Sequence, residues 1–363
     1  MTSVTELQLT NFRNFCEAKA SPSSGINLIY GENGSGKTSL LEAIHLLSTG
    51  KSFRSSLVDP LIKDGEKAAT IFAAIEDQNK VGLTKPRNQK QQLRLNEENQ
   101  KSWDQVARIL PSQVLDATSF DLLEGGPKAR RRFMDWGVFH VEPSFLDNWR
   151  RASKSIANRN RLLKQGQKSS AESAQINAWD RELCLAASAI DESRTRYLER
   201  LLPAFQTIYE KLVGNHSTDL QIIYKRGWSA DHTFDEALAS NKEVDFRYGS
   251  TQSGPHRADL DIKLGSRRAQ EILSRGQEKL VVCALKVAQG EVLSEAVGRK
   301  CIYLIDDLPA ELDPFNREKV MQQLVQTSAQ LFITSVEATA IDTDSLGRSD
   351  IAKFHVERGI LTG

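Results

Sequence analysis

Gly31-Glu32-Asn33-Gly34-Ser35-Gly36-Lys37-Thr38 brings together residue types that can hold a phosphate chain. It fits G-x-x-x-x-G-K-[ST], a loop whose backbone amides cradle phosphates. The glycines let the backbone approach an anion without a Cβ in the way. Lys37 adds a point charge for the β- and γ-phosphates of a nucleotide, and the Thr38 hydroxyl suits Mg²⁺. Such a loop needs a strand running in and a helix running out. The apolar run Ile26–Tyr30 predicts the strand, and residues 39–47, Ser-Leu-Leu-Glu-Ala-Ile-His-Leu-Leu, predict the helix.

A metal at Thr38 needs an acidic partner. Residues 302–305 form an apolar strand pattern that ends in Asp306 and Asp307. Asp306 is expected to hold Mg²⁺, directly or through water, and Asp307 to polarise an attacking water. These acids lie far downstream of Lys37, too far for most compact P-loop kinases. Between them Leu273-Ser274-Arg275-Gly276-Gln277 precedes a long helical pattern. It resembles the L-S-G-G-Q signature of ABC-type ATPases, with Arg275 in place of the first glycine. Its role there is an anion site at a helix N-terminus. By that resemblance it closes the ATP site of a second copy in a head-to-tail dimer, and Glu311 and Asp313 fall in the loop that crosses the interface. An ordinary Ser-capped helix start is the other reading of residues 274–277.

The 363 residues suggest two domains or one composite one, and 39% hydrophobic with 26% charged residues is an ordinary globular composition. The apolar runs fall short of the roughly 18 residues of a membrane span, so no membrane partner is expected. The start of the chain lacks the pattern of a signal peptide. Cys16, Cys184, Cys283 and Cys301 are far apart and form no C-x-x-C pair, which suits reduced thiols and a cytoplasmic setting. Net charge is only +1, but residues 127–168 carry eleven Lys and Arg against three acids. Residues 306–350 reverse that balance, with nine acids against three bases. Such segregation marks either a nucleic-acid face or a solvated helix surface. The best phosphate-contacting candidates are Arg130, Arg131, Arg132, Arg150, Arg151 and Lys154. Pairing of Arg130–Arg132 with nearby carboxylates is the alternative.

Along the chain, strands are expected at residues 6–10, 26–30, 70–75, 82–85 and 92–95 around one helix. Residues 127–213 read as two long helices in an antiparallel hairpin, broken near 165–170. At about 35 residues per arm this hairpin is about 50 Å long. Alternation returns at 220–225 and 258–264, then a helix at 275–297. A strand at 301–305, a helix near 316–325, a strand at 330–334 and a terminal strand pair near 352–361 follow. α/β material at both ends then builds one parallel sheet around an inserted helical block.

These motifs, together with Lys51-Ser-Phe-Arg54, the segment running from Gly125-Gly-Pro127 into Arg130-Arg-Arg-Phe133, and Gly254-Pro-His-Arg257, resemble the RecF family, relatives of the SMC ATPases, essentially end to end. The resemblance implies an α/β ABC-type P-loop ATPase head. Residues 1–115 with 278–363 would form lobe I, a mixed sheet with helices. Residues 116–277 would form a mostly helical lobe II with a short antiparallel arm. It further implies ATP and Mg²⁺ as cofactors, with Gln113 as the metal-sensing glutamine. The implied partners are double-stranded DNA, junctions of single and double strands, an ATP-dependent homodimer and recombination mediators of the RecO/RecR type. A weak ATPase used as a switch, in a nucleoid-associated repair role, is the implied activity; an ATP-bound DNA scaffold without turnover is the alternative. The chain departs from the family pattern at Ala258 and at Ala117-Thr118. It also has Thr334 or Ser335 where transporters keep a switch histidine.

Overall fold

The computed structural model describes residues 2–55, 57–76, 78–166, 170–214, 220–307, 312–339 and 347–363. The chain divides into two units. One holds residues 1–120, 208–214 and 279–363, and the other residues 121–207 and 215–278.

In the first unit, two burial patterns sort the strands into two sheets. Strands β1 (Val4–Phe12), β2 (Phe15–Ala20), β4 (Ala68–Ile75), β5 (Asn79–Pro86), β6 (Gln92–Leu95) and β7 (Glu98–Gln100) form an antiparallel sheet, ordered β2-β1-β4-β5-β6-β7. In β4 every second residue is buried, as expected where one face meets the core and the other does not. Strands β3 (Ile26–Tyr30), β8 (Ser112–Leu115), β12 (Ile302–Ile305) and β13 (Leu331–Ser335) are instead buried almost throughout. Continuous burial is the mark of a parallel sheet covered on both faces. They pair in parallel, with β14 (Ile351–Glu357) against β3 and β15 (Ile360–Thr362) turning back antiparallel, in the order β15-β14-β3-β13-β12-β8. Both chain ends supply this parallel sheet, as expected. The other N-terminal strands form a second sheet: β1–β2, β4–β5, β5–β6 and β6–β7 are hairpins, whose short connections allow only antiparallel pairing, and β1 meets β4 antiparallel across the intervening β3 and α1. Helix α1 (Lys37–Thr49) packs its Leu40, Leu41, Ile44 and Leu47 into one core with both sheets. The short helix α2 (Asp104–Ile109) adds Val106.

In the second unit, α3 (Asp121–Glu124) precedes α4 (Pro127–Val141), α5 (Phe145–Gln165) and α6 (Ser170–Val213), and these three replace the pair of helices expected over residues 127–213. Glu142-Pro143 breaks the first stretch, since a residue before proline avoids the helical region and Glu142 sits at ψ 107°. The hairpin arms are therefore unequal, 21 residues in α5 against 44 in α6. At 1.5 Å per residue they measure about 32 and 66 Å, so the equal 50 Å arms are corrected. Arg159 stitches the arms together from a fully buried position. Its Nε donates to Asp180 at 2.5 Å, and one terminal nitrogen donates to Asp245 at 2.6 Å and Thr251 at 2.9 Å. Two short helices, α7 (Phe234–Ser240) and α8 (Lys242–Tyr248), follow strand β9 (Leu220–Lys225); in a three-stranded antiparallel sheet the central β10 (Asp259–Leu264) pairs with β9 on one side and β11 (Arg267–Arg268) on the other. Helix α9 spans Arg275–Val297, the predicted limits. Among the described residues no helix is long and apolar enough to cross a membrane.

Candidate nucleotide site

The loop after β3 reaches α1 through Gly36 at φ 124°, where an added Cβ would stand 2.8 Å from the Asn14 amide nitrogen. Glycine is required there on both counts. The start of α1 has no side-chain cap and no acid in its first turn. An uncapped helix start carries unsatisfied amides and the positive end of the helix dipole, which suits an anion. Ser35 Oγ, in the same loop, is buried without a hydrogen-bond partner.

Lys37 is buried, and its Nζ donates to the Gly31 carbonyl at 2.7 Å and the Glu32 carbonyl at 2.9 Å. Burial lowers its pKa, while the neighbouring Asp307 and Asp306 act in the opposite direction. The two sequence motifs meet at one oxygen. Asp306 Oδ1 accepts from Thr38 Oγ1 at 2.9 Å and from Thr334 Oγ1 at 2.7 Å. Thr334 Oγ1 in turn accepts the Asp307 backbone N–H at 2.8 Å, holding Asp307 at φ 53°. The parallel register explains the meeting, because β13 lies between β3, which leads to the loop, and β12, which ends at Asp306. Burial raises the Asp306 pKa, and the two threonine hydroxyls partly offset this by favouring the ionised form.

A cavity of about 460 Å³ opens here, lined by Gly34, Gly36, Lys37, Thr38, Asp306 and Asp307 together with Arg13, Asn14, Arg54 and Thr334. Of these last four, the sequence points to Thr334 at the transporters' switch position and to Arg54 within a family motif, while Arg13 and Asn14 carry no such signal. Arg13 and Arg54 converge on Glu42, a fully buried carboxylate on α1. Arg13 meets it bidentately at 2.8 and 2.6 Å, Arg54 stands 3.9 Å away, and Ser52 Oγ also donates to it. A glutamate inside the apolar run Leu40-Leu-Glu-Ala-Ile44 is the one sequence signal that could have revealed this cluster. On the other side of the loop a 320 Å³ cavity is lined by Glu32, Asn33, Gly34 and Ser35 with His355 and Arg358.

Gln113 does not line the cavity at Lys37. It is buried in β8 and donates to Gln289 Oε1 at 2.8 Å: a buried amide is satisfied by another buried amide. Ser274 and Gln277 form a reciprocal cap at the start of α9. Ser274 N–H donates to Gln277 Oε1 at 2.9 Å and Gln277 N–H to Ser274 Oγ at 3.4 Å. Arg275 is exposed, 4.0 Å from Glu124, and the space beside Gly276 is open. Asp313 caps the helix Pro314–Gln326 by accepting from Asn316 N–H at 3.1 Å. Glu311 lies outside the described residues.

Of the basic candidates, Arg130 pairs bidentately with Asp259 at 2.7 and 3.0 Å, and Arg131 donates to the Ala258 carbonyl at 2.7 Å. Arg151 pairs with Glu182 at 2.7 Å. The carboxylate alternative therefore holds for Arg130, while Arg132, Arg150 and Lys154 are exposed.

The two-sheet head, the uncapped glycine loop and the Thr38–Asp306 contact define an ABC-type P-loop ATPase head. The profile of the RecF/RecN/SMC N terminal domain matches residues 3–346. The chain belongs to that family, and within it to the RecF proteins. It is 43% identical over 364 residues to the DNA replication and repair protein RecF of Pseudomonas entomophila (strain L48), covering 99% of this chain and 98% of that one. It is 44% identical to RecF of Stutzerimonas stutzeri (strain A1501), covering 99% and 97%. Among solved structures it is similar to the recombination mediator protein RecF with ATP in the RecFOR pathway, at TM-score 0.87 and 26% identity over 99% and 97% of the two chains. It shares its fold with the Smc head domain with an extended coiled coil from Pyrococcus furiosus, at TM-score 0.60, 17% identity and coverage of 100% and 96%.

Proposed function

We propose that this chain is an ATP-dependent, double-stranded DNA-binding protein that dimerises on ATP. Weak, DNA-stimulated hydrolysis resets it, and it serves repair of single-strand gaps and replication restart by helping mediator proteins load recombinase. The observation that carries the reading is the hydrogen bond between Thr38 and Asp306, which joins the phosphate loop to an acid from the far end of the chain. Both offer hard oxygen donors of the kind Mg²⁺ takes. Bound there, the ion would neutralise charge on the phosphates. The chain itself supplies the Lys37 ammonium, the free amides of α1, and a buried acid that must be ionised to act. Asp307 is exposed beside the cavity, where a base for water would stand. Ser274, Arg275, Gly276 and Gln277 are accessible to a second copy, with Asp313 in the crossing loop. Their reciprocal cap must loosen for Ser274 Oγ to turn towards a phosphate. DNA contact falls to Arg132 and Lys154.

Anisotropy of a labelled duplex with ATP, with ADP and without nucleotide, across a protein dilution series and two salt concentrations, tests this. Tight binding with ATP alone, sigmoidal in protein, is expected. Binding indifferent to nucleotide, or none, refutes it. The scaffold reading has one observation in its favour: the Thr334 hydroxyl is already engaged by Asp306 and Asp307. Lys37→Arg separates the two, since a scaffold without turnover loses nothing when hydrolysis stops.

A further inference from the structure

A second cavity, of about 550 Å³, lies wholly within the unit formed by residues 121–207 and 215–278, and the nucleotide reading makes no use of it. Its volume is that of a site for a compact ligand or a few anchoring side chains, roughly 300–1,000 Å³. Trp136, Phe139, Leu146, Trp149, Ile156 and Ile190 supply an apolar lining from three helices, α4, α5 and α6. The walls are held in place before anything binds. Trp136 and Phe139 pack on the His140 ring at 4.4 and 4.9 Å, and Arg194 and Asp135 neutralise each other across two contacts of 2.9 and 3.0 Å. Trp149 is nonetheless 45% exposed at the rim. Lys128 and Arg132 also line the cavity, are exposed, and make no hydrogen bond or ion pair among the described residues. An open tryptophan beside uncommitted cations is the composition of an interface anchor point.

We propose that this cavity docks a partner protein's acidic peptide segment, with one or two bulky apolar side chains seated in the pit and carboxylates facing Lys128 and Arg132. The charge on the rim selects an acidic flank, and the lining selects the apolar anchors. A nucleic acid suits the site less well. Stacking on Trp149 would occupy one aromatic face and leave Leu146, Ile156 and Ile190 unfilled. Phosphate binding needs a run of available cations, yet Arg131 and Arg194 on the same wall are committed to Ala258 and Asp135. Nothing in the proposal rests on the ATP switch, but Arg132 is shared with the duplex-contact reading above, so peptide and duplex would compete for it.

The test uses the full chain and a panel of fluorescein-labelled ten-residue peptides. Each carries two Phe or Leu residues, spaced one to four apart, in an otherwise Asp/Glu/Ser sequence. At least one member is expected to bind with micromolar affinity by anisotropy. Replacing its two apolar residues by Ala should abolish binding. Trp149→Ala should weaken it at least tenfold. Lys128→Glu with Arg132→Glu should weaken it at least tenfold and remove its salt dependence. Helical content by circular dichroism and the urea midpoint should match the wild type in all variants, which shows that the unit carrying the cavity is folded. The proposal is overturned if no peptide binds below about 1 mM, if Trp149→Ala leaves binding unchanged, or if a single-stranded oligonucleotide binds at this cavity more tightly than every peptide.

Discussion

Glu42→Gln probes how the first unit holds two arginines at the nucleotide cavity. The wild-type carboxylate is fully buried and takes two charge-assisted hydrogen bonds from Arg13, whose side chain is 15% exposed. Such bonds contribute about 1.5–3 kcal/mol each, and removing one partner of a buried pair costs about 3–5 kcal/mol. The residual exposure of Arg13 lets some water reach it, so about 3 kcal/mol is the expected loss. Glutamine keeps the shape but turns an amide N–H₂ towards donors. The second readout is nucleotide affinity, because Arg13 and Arg54 both line the cavity and lose their shared anchor. A double-mutant cycle with Arg13→Gln, followed by urea unfolding and by titration with a fluorescent ATP analogue, isolates the pair. A coupling energy of at least 1.5 kcal/mol is expected, with a tenfold or larger loss of nucleotide affinity in Glu42→Gln. Coupling below about 0.5 kcal/mol would refute the reasoning, since Arg13 would then be held by the Pro60 carbonyl and its surroundings rather than by Glu42.

Other measurements bear on neighbouring features. His45 is half-buried with its Nδ1 shut off from solvent, and its pKa is pushed down to about 4 by desolvation and by Lys286. Its folded value lies below the unfolded one near 6.5, so its contribution is fully present above pH 6.5 and lost as pH falls towards 4. That is about 3 kcal/mol, and a urea-midpoint series in which His45→Phe showed the same slope would contradict it. Gly36→Ala should cut affinity for the ATP analogue at least tenfold, through a left-handed φ costing about 1–3 kcal/mol and contact with Asn14. Arg132→Ala and Lys154→Ala should each lower the salt slope of duplex binding by about 0.9. Arg130→Ala should leave that slope unchanged and destabilise by about 1–3 kcal/mol instead, because its charge is spent on Asp259. A salt slope that responded to Arg130 and not to Arg132 would reverse this assignment.

What could be read from sequence follows the range of the interactions involved. Strand β3 was delimited correctly because Gly25 and Gly31 bracket an apolar run, and α9 because Ser274-x-x-Gln277 is a local capping signal. Asp306 was found because an acid at the end of an apolar strand stands out. By contrast β2, Phe15-Cys-Glu-Ala-Lys-Ala20, hides its alternation among small and charged residues, and β8 is only four residues long. The pairings Gln113–Gln289, Arg130–Asp259 and Arg13–Glu42 join residues distant in sequence, so residue type alone offers no partner. A glutamine in a short buried strand looks the same from sequence whether its amide faces a metal or another amide.

The place of β3 within its sheet also sets an order of events for a chain being made. Its two neighbours, β13 and β14, lie some 300 residues further on, so the strand that feeds the phosphate loop is synthesised with both edges bare. At about 5–20 residues per second those edges stay open for roughly 15–60 s. Until then β3 has no parallel partner, and Asp306 and Thr334 do not yet exist to meet Thr38. The loop that dominates the start of the sequence is thus among the last parts of the molecule to take shape. Any ribosome stalled short of residue 331 holds a nascent chain with unpaired strand edges, open to aggregation or to a chaperone.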